Sequence, residues 1–374
     1  VTGSFEYLKP FGNISLAKDA SPVSTSSTMC LASATKLVTC VAAMQCVERG
    51  IIKLDEDVSA WLPEWKEAQI LKGFDTSNEQ KPILEKAQRP IFLKHLLSQT
   101  SGITGLENEE VMKYYSAIGH FVVSPYIISP HSDMHQLVEP LVFEPGSDWG
   151  YGQGVDWSGQ LVERLTDLTL EQYCAENIFK PLGMKDTTFR LLNHPHIADN
   201  LIKMSSRKKD GTLESADTIY PLDPKTDMGG SNLYTSAPDY LELLKSLLRN
   251  DGRVLRPETV NEMFDYRLPD SLAFTKFKTE NAKDYLGGLA TEGMTVDHCL
   301  VGLVNNEDSK GGRKAGSVTW AGATRCFWWI DRKAGICGFY GSQLLGIHDQ
   351  QISKAMFETF ERAVYEDCGK LSAP

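Results

Sequence analysis

The sequence predicts an α+β fold, in which an antiparallel sheet flanked by helices is joined to a mainly helical domain. Three observations carry that expectation. Two β-rich runs near the C-terminal end, residues 326–330 and 336–340, are joined by Asp331-Arg-Lys-Ala-Gly335, a hairpin signal. The middle of the chain is dominated by helical patterns. The N-terminal stretch, residues 1–13, has short mixed runs punctuated by Gly3, Pro10 and Gly12, which reads as strands and turns. Strands at both ends around a helical middle predict one antiparallel sheet assembled from N- and C-terminal segments. The expected division is a discontinuous sandwich domain of residues 1–60 and 230–374 around a mainly helical domain of residues 61–229.

The elements follow in order. Leu37, Val38, Val41, Met44 and Val47 recur at helical spacing, and Gly50 is a natural stop, so a helix is predicted from about Ser33. Leu54-Asp-Glu-Asp-Val58 then leads into Trp61-Leu-Pro-Glu-Trp65, a loop-like exit. Residues 91–97, 155–165 and 170–178 read as helices. Residues 104–140 and 190–228 look irregular and lid-like. The first of these is rich in aromatics and histidine: Tyr114, Tyr115, His120, Phe121, Tyr126, His131 and His135. Further helices are predicted over 241–248 and 257–264. An amphipathic helix over 352–365, with Ile352, Met356, Phe357, Phe360 and Val364 on one side, closes the chain.

Composition limits the function. The chain has 374 residues, 41% hydrophobic and 23% charged, which fits a globular protein of one large or two intimate domains. No apolar run approaches the roughly 18 residues that span a membrane, and the first residues hold Lys9 and Lys18 without an apolar signal core. A net charge of −11 argues against nucleic acid and anionic membranes as partners. The cysteines, at 30, 40, 46, 174, 299, 326, 337 and 368, form no C-x-x-C pair and no zinc spacing. Several lie in apolar runs, where free cysteine acts as a small hydrophobe. Reduced thiols and a cytoplasmic location are the expectation. No metal or organic cofactor is expected, because the histidines lack ligand spacing and no phosphate-binding glycine loop occurs.

Three motifs carry chemistry. Ser33-Ala-Thr-Lys36 opens the predicted first helix, so Ser33 and Lys36 stand three apart on one face. A serine hydroxyl is a poor nucleophile alone, and a neighbouring amine held beside a dry core can take its proton. The helix's first-turn N–H groups favour negative charge on the serine side. The second motif, Glu144-Pro-Gly-Ser-Asp-Trp-Gly-Tyr-Gly-Gln-Gly-Val-Asp-Trp157, is a Pro/Gly-punctuated loop running into a helix. It presents Tyr151 among glycines that let the backbone come close to a ligand, where a tyrosine beside a lysine ammonium can shuttle a proton. The third is Gly316-Ser-Val-Thr-Trp-Ala-Gly-Ala-Thr-Arg-Cys-Phe-Trp-Trp-Ile330. Trp320-Ala321-Gly322 is expected on an edge strand, with Gly322 keeping one face open. The Ala323 N–H would then join the Ser33 N–H in an oxyanion hole.

The order Ser-x-x-Lys, Tyr after Pro-Gly-x-x-Trp, then Trp-x-Gly before a β-hairpin resembles the serine β-lactamase and penicillin-binding-protein superfamily. Within it the chain is similar to the class C-like esterase and transesterase branch. Similarity extends through Leu96-Leu-Ser-Gln-Thr-Ser-Gly-Ile103, Phe179-Lys-Pro-Leu-Gly-Met-Lys-Asp-Thr-Thr-Phe189 and Gly229-Gly-Ser-Asn-Leu-Tyr-Thr-Ser-Ala-Pro-Asp-Tyr240. The wording of Leu31-Ala-Ser-Ala-Thr-Lys-Leu37 and Tyr151-Gly-x-x-x-Asp-Trp157 is similar to fungal acyltransferases of the lovastatin type, which move an acyl group onto a polyketide alcohol. The resemblance implies a β-lactamase/transpeptidase-like fold with catalytic Ser33, Lys36 and Tyr151. It also implies a substrate-binding role for Gln153, Trp320 and Gly322, with Gln153 orienting a carbonyl.

One departure from the superfamily matters. β-Lactamases and transpeptidases of this fold usually carry Lys-Thr-Gly on this strand, whose lysine grips a substrate carboxylate. Here Trp320 takes that position, and Lys314-Ala-Gly-Ser317 imitates the motif a few residues upstream as a decoy. Neutral esters or thioesters are therefore favoured over β-lactams.

The expected function is a fungal-type serine acyltransferase of secondary metabolism. It takes a small-molecule ester or thioester donor and an alcohol acceptor through a Ser33 acyl-enzyme. The alternative is a carboxylesterase or thioesterase-type hydrolase of a polyketide-like ester; a β-lactamase and a non-catalytic binding domain rank below both. A donor carried on an acyl carrier protein requires a basic docking patch, for which Lys203, Arg207, Lys208 and Lys209 form the best run. An acceptor pocket that excludes water can draw on the aromatics of residues 104–135 and on Trp320, Trp328 and Trp329.

Overall fold

A computed structural model of the chain describes residues 6–76, 81–105, 108–119, 138–271, 294–346 and 350–371. A short strand β1 (Thr28–Cys30) leads through a 3-10 turn into helix α1 (Lys36–Glu48). The hairpin β2 (Gln69–Phe74) and β3 (Pro82–Lys86) follows, then α2 (Leu93–Leu97), α3 (Glu109–Ala117), α4 (Gly154–Thr166), α5 (Leu170–Cys174), α6 (Lys180–Leu182) and α7 (Pro195–Ala198). Next come β4 (Ser205–Arg207), β5 (Leu213–Ser215), β6 (Tyr234–Ser236), α8 (Ala237–Arg249) and α9 (Pro257–Asp265). The last part holds β7 (Val296–His298), β8 (Leu303–Asn305), β9 (Val318–Gly322), β10 (Cys326–Asp331), β11 (Ile336–Tyr340), β12 (Leu344–Leu345) and α10 (Gln350–Leu371).

The main sheet is antiparallel with order β11-β10-β9-β8-β7, and helices α8 and α10 pack on it. The fold is the expected α+β arrangement, but its sheet corrects one expectation. Among the described residues all five strands come from residues 296–340, and the N-terminal stretch supplies none. Residues 6–12 have no regular structure, Asn13 only bridges Pro22, and Phe11 is 70% exposed. Strand β1 pairs instead with β6 in a separate two-stranded sheet, Met29 opposite Thr235.

Helix α1 explains itself by burial. Residues 36–46 are all buried, so it is apolar around its circumference and serves as the central helix rather than a surface one. It packs on α4, whose buried side includes Val155, Trp157, Leu161 and Val162. The segment 190–228 is only partly irregular: it forms α7 and the β4–β5 hairpin, which β12 extends to three strands, while residues 216–228 hold no helix or strand. Of the segment 104–140, α3 places Tyr114 and Tyr115, whereas His120, Phe121, Tyr126, His131 and His135 lie outside the described residues. All the cysteines are free thiols. Among the described residues no helix is long and apolar enough to cross a membrane.

Candidate active site

The α-helix predicted from about Ser33 begins at Lys36, and Ser33 lies in the 3-10 turn Ala32–Thr35 that leads into it. The turn is sharp because Ala32 takes φ +47°, a left-handed conformation that a non-glycine residue holds only where its surroundings fix it. They do. The Leu31 N–H donates to the Leu233 carbonyl (2.9 Å) and the Tyr240 hydroxyl donates to the Ala34 carbonyl (2.8 Å). The Leu233 N–H donates to Thr35 Oγ1 (3.1 Å) and the Thr324 hydroxyl to the Cys30 carbonyl (2.8 Å). The Ser33 turn is thus pinned from the β6 side and from the β9–β10 turn.

Two groups converge on Ser33 Oγ. The Tyr151 hydroxyl lies 2.6 Å away and Lys36 Nζ 3.4 Å away. Lys36 is buried, as a charged group is only when it has partners. Its Nζ donates to the Gly230 carbonyl (2.9 Å) and lies 4.8 Å from the centroid of the Tyr151 ring. Behind that carbonyl, Asp156 Oδ1 accepts the Gly230 N–H (2.8 Å), and the Thr39 hydroxyl donates to the Gly229 carbonyl (2.6 Å). Burial raises the Asp156 pKa, and the Lys36 charge opposes that rise. Lys36 is therefore aimed by a relay through the Gly229–Gly230 backbone.

The expected oxyanion strand is β9, with a correction to its place. It is the central strand of five and not an edge. However, β8 pairs with it only at Thr319 and Val318, so Trp320–Gly322 runs past the end of β8 and is open on that side. The Arg325 N–H donates to the Gly322 carbonyl (2.9 Å), and this turn carries Ala323 at the end of β9, which packs on the Ser33 turn. Gly322 faces that turn and not open space: a Cβ there would stand 2.0 Å from the Leu31 carbonyl oxygen. Its glycine is required by the packing of strand against the Ser33 turn. Gly150 and Gly152 likewise serve the protein itself, since a Cβ on Gly152 would meet Thr104 Cα at 2.4 Å.

Trp320 is 6% exposed and forms a wall, with its ring 5.4 Å from Tyr151 and 5.6 Å from His298. Trp149 stacks at 6.5 Å on Tyr151 and lies 5.9 Å from His298. Burial lowers the His298 pKa to about 4, so its imidazole is neutral at physiological pH. Gln153 caps the start of α4, with its side chain against Gly105, and its Oε1 has no hydrogen-bond partner among the described residues. Trp328 and Trp329 are fully buried, and Trp329 packs on Phe357 and Phe360 of α10, so these two belong to the core. Lys314 lies in the turn before β9 and pairs with Asp308 at 3.2 Å. Among the described residues no group of His, Cys, Asp and Glu could hold a metal ion.

Sequence reasoning missed Asp156, Thr39, Gly230 and His298 as parts of this site. Asp156 had one signal, its place five residues beyond Tyr151 on the helix that the tyrosine loop enters. Thr39 follows Lys36 by three positions on one helix, and Gly230 stands in the stretch 229–240 that carries the family resemblance, so both had a signal; His298 had none, because it meets Trp149 and Trp320 only through the fold.

The sequence profile of the Beta-lactamase family matches residues 6–357. The chain is similar to a monacolin J acid methylbutanoyltransferase of Aspergillus terreus, 34% identical over 374 residues that cover 97% of this chain and 89% of the relative. It is also similar to a lovastatin esterase of Penicillium rubens, 32% identical over 376 residues, 97% of this chain and 91% of the relative. Among solved structures, a LovD6 mutant of simvastatin synthase from Aspergillus terreus superposes with a TM-score of 0.89 at 33% identity, over 99% of this chain and 91% of that one.

Proposed function

We propose that this chain, which belongs to the β-lactamase family, moves an acyl group from an ester or thioester to an alcohol of a small secondary metabolite through a Ser33 acyl-enzyme. It is an enzyme of the group that includes the transferase and esterase relatives. The observation that carries the reading is the convergence of Tyr151 (2.6 Å) and Lys36 (3.4 Å) on Ser33 Oγ. A division at residues 60/61 and 229/230 puts Ser33 and Lys36 in one domain and Tyr151 in the other, with the site where they meet.

The steps follow from the geometry. Ser33 Oγ attacks the donor carbonyl carbon and its proton passes to the oxygen of Tyr151, the nearer of the two groups, which enters this step as the phenolate beside the Lys36 ammonium. The Lys36 ammonium stabilises negative charge on either oxygen. The N–H groups of Ser33 and Ala323 hold the tetrahedral oxyanion. The carbon–oxygen or carbon–sulfur bond of the donor then breaks, and Tyr151 gives its proton to the departing alcohol or thiol. In the second half the acceptor alcohol gives its proton to Tyr151 and attacks the Ser33 ester, and Ser33 leaves with that proton. Gln153 and Trp320 line the approach. A carrier-borne donor would meet the β4–β5 hairpin, where Lys208 already pairs with Glu214 at 3.5 Å and Arg207 donates to the Gly211 carbonyl. The reading therefore commits to a free small-molecule donor.

The second reading, ester hydrolysis, is favoured by the likeness to the lovastatin esterase, and differs only in what enters the second half. Intact-protein mass spectrometry after brief exposure to a butanoyl thioester, with and without a hydrophobic alcohol, tests both. The wild type is expected to gain a butanoyl adduct that persists in water and is discharged by the alcohol, and Ser33→Ala to gain none. An adduct that clears equally fast in water alone makes the chain an esterase. An adduct on Ser33→Ala overturns the mechanism.

A further inference from the structure

Gln99 lies in the stretch Leu96-Leu-Ser-Gln-Thr-Ser-Gly-Ile103, which the reaction steps leave unused. It is 2% exposed and holds φ +61°, in the left-handed region that a non-glycine residue seldom occupies unless its neighbours fix it. What that conformation achieves is local. The Gln99 backbone carbonyl accepts the Gly150 N–H (2.9 Å), and its side-chain Oε1 accepts the Gly152 N–H (3.0 Å). The two donors flank Tyr151 on either side. One buried residue thus holds the peptide unit that follows Tyr151, through its side chain, and the one just before Gly150, through its main chain.

We infer that Gln99 is a positioning residue for Tyr151, and that its side-chain oxygen keeps the tyrosine hydroxyl on Ser33 Oγ. The inference rests on the Ser33–Tyr151 reading of the site. Backbone packing alone does not need the amide: the Gly150 contact is made by the main chain, and only the Gly152 contact uses the side chain. Gln99 also lines, with Lys36, Trp320 and His298, a small cavity next to Lys36.

The test compares the full chain with Gln99→Met, which keeps shape but loses the acceptor, and Gln99→Glu, which keeps an acceptor oxygen of the same reach. All are assayed for the burst and turnover of p-nitrophenyl butanoate, together with Ser33→Ala and thermal unfolding. Gln99→Met is expected to fold and to lose kcat on the order of ten- to a hundredfold with little change in KM, as a misplaced proton shuttle does. Gln99→Glu is expected to recover most of that loss. Wild-type kcat in Gln99→Met, or equal losses in the Met and Glu variants, overturns the inference, the second by reducing Gln99 to a packing residue. If Gln99→Met does not fold, Gln99→Asn, which draws the oxygen back by one methylene, must show the same kcat loss. A burst in Ser33→Ala overturns the underlying reading and this inference with it. A dead Ser33→Ala beside an unimpaired Gln99→Met overturns the inference alone.

Discussion

Gly322→Ala tests whether the fit of β9 against the nucleophile's turn sets the reaction rate. The added Cβ would stand 2.0 Å from the Leu31 carbonyl oxygen and 3.3 Å from Ala32 Cβ. Carbon–oxygen contacts settle at about 3.3 Å or beyond, so strand and turn must separate by about 1.3 Å. Neither side yields easily. Strand β9 is paired to β10 along its whole length, Cys326 opposite Gly322, and the turn is pinned by Leu233, Tyr240 and Thr324. The separation widens the gap between the Ser33 and Ala323 N–H groups, which the proposed mechanism assigns to the oxyanion. A displacement of this size costs roughly a hundredfold in rate, or about 2.7 kcal/mol of transition-state stabilisation, while overpacking destabilises the fold by about 1–3 kcal/mol. Stopped-flow measurement of p-nitrophenol release under single-turnover conditions reads the acylation rate, and calorimetry reads the stability. An Ala variant that acylates at the wild-type rate would show that the close approach is incidental and that Ala323 has no part in holding the oxyanion.

Two further perturbations probe the supports of the site. Gly230→Ala places a Cβ 2.2 Å from Asp156 Oδ2, so it should cost about 1–3 kcal/mol in stability and slow acylation by shifting the carbonyl that holds Lys36; unchanged unfolding and burst rate together would remove the Asp156–Gly230 relay from the account. Glu139→Gln addresses a buried carboxyl that accepts the Gly105 N–H at 2.5 Å and whose pKa burial raises to about 8 from 4.5. The folded state holds that proton between those two values and the unfolded chain does not, so wild-type stability falls as pH rises through the window, by up to about 5 kcal/mol at 1.36 kcal/mol per pH decade. Glutamine keeps the acceptor without the charge, so unfolding midpoints measured from pH 5 to 9 should lose most of that slope, and an unchanged slope would refute the assignment.

The parts of the fold that were legible in the sequence are those whose periodicity repeats. Helices α1, α4, α8, α9 and α10 and the β10–β11 hairpin each offer several turns or alternations, and each was found within a few residues. The strands that escaped are short or irregular. β7 and β8 have three residues each, too few to show a period of two, and β2–β3 carries a register shift between Leu71 and Gly73 that breaks the alternation. The N-terminal stretch misled because turn residues and mixed polarity are common to strands and to coil, and nothing local separates them. The site divides the same way. Ser33, Lys36 and Tyr151 stand in motifs whose spacing is local. The Gly230 carbonyl that holds Lys36 is 194 positions away in sequence, and His298 reaches the site only because β7 joins the sheet behind Trp320.

Charge at the site narrows the donor. Lys36 brings one positive charge, and Asp156, buried behind the Gly230 peptide, opposes it. Around them stand Tyr151, Trp149, Trp320 and a His298 held neutral by burial to a pKa of about 4. Trp320 brings no charge to β9, and the nearby Lys314 is turned to Asp308. An anionic donor would have to leave its carboxylate against aromatic faces with Lys36 already committed to Ser33 and Gly230. Desolvating a carboxylate without a partner costs far more than a weak contact returns, whereas a neutral ester or thioester meets no such penalty. On the proposed mechanism an incoming hydrophobic alcohol gains more than water from an apolar approach to Tyr151, because its body has apolar surface to bury. On that mechanism the balance of transfer over hydrolysis rests on the apolar surroundings of Tyr151, because Ser33, Lys36 and Tyr151 would act alike on either hydroxyl.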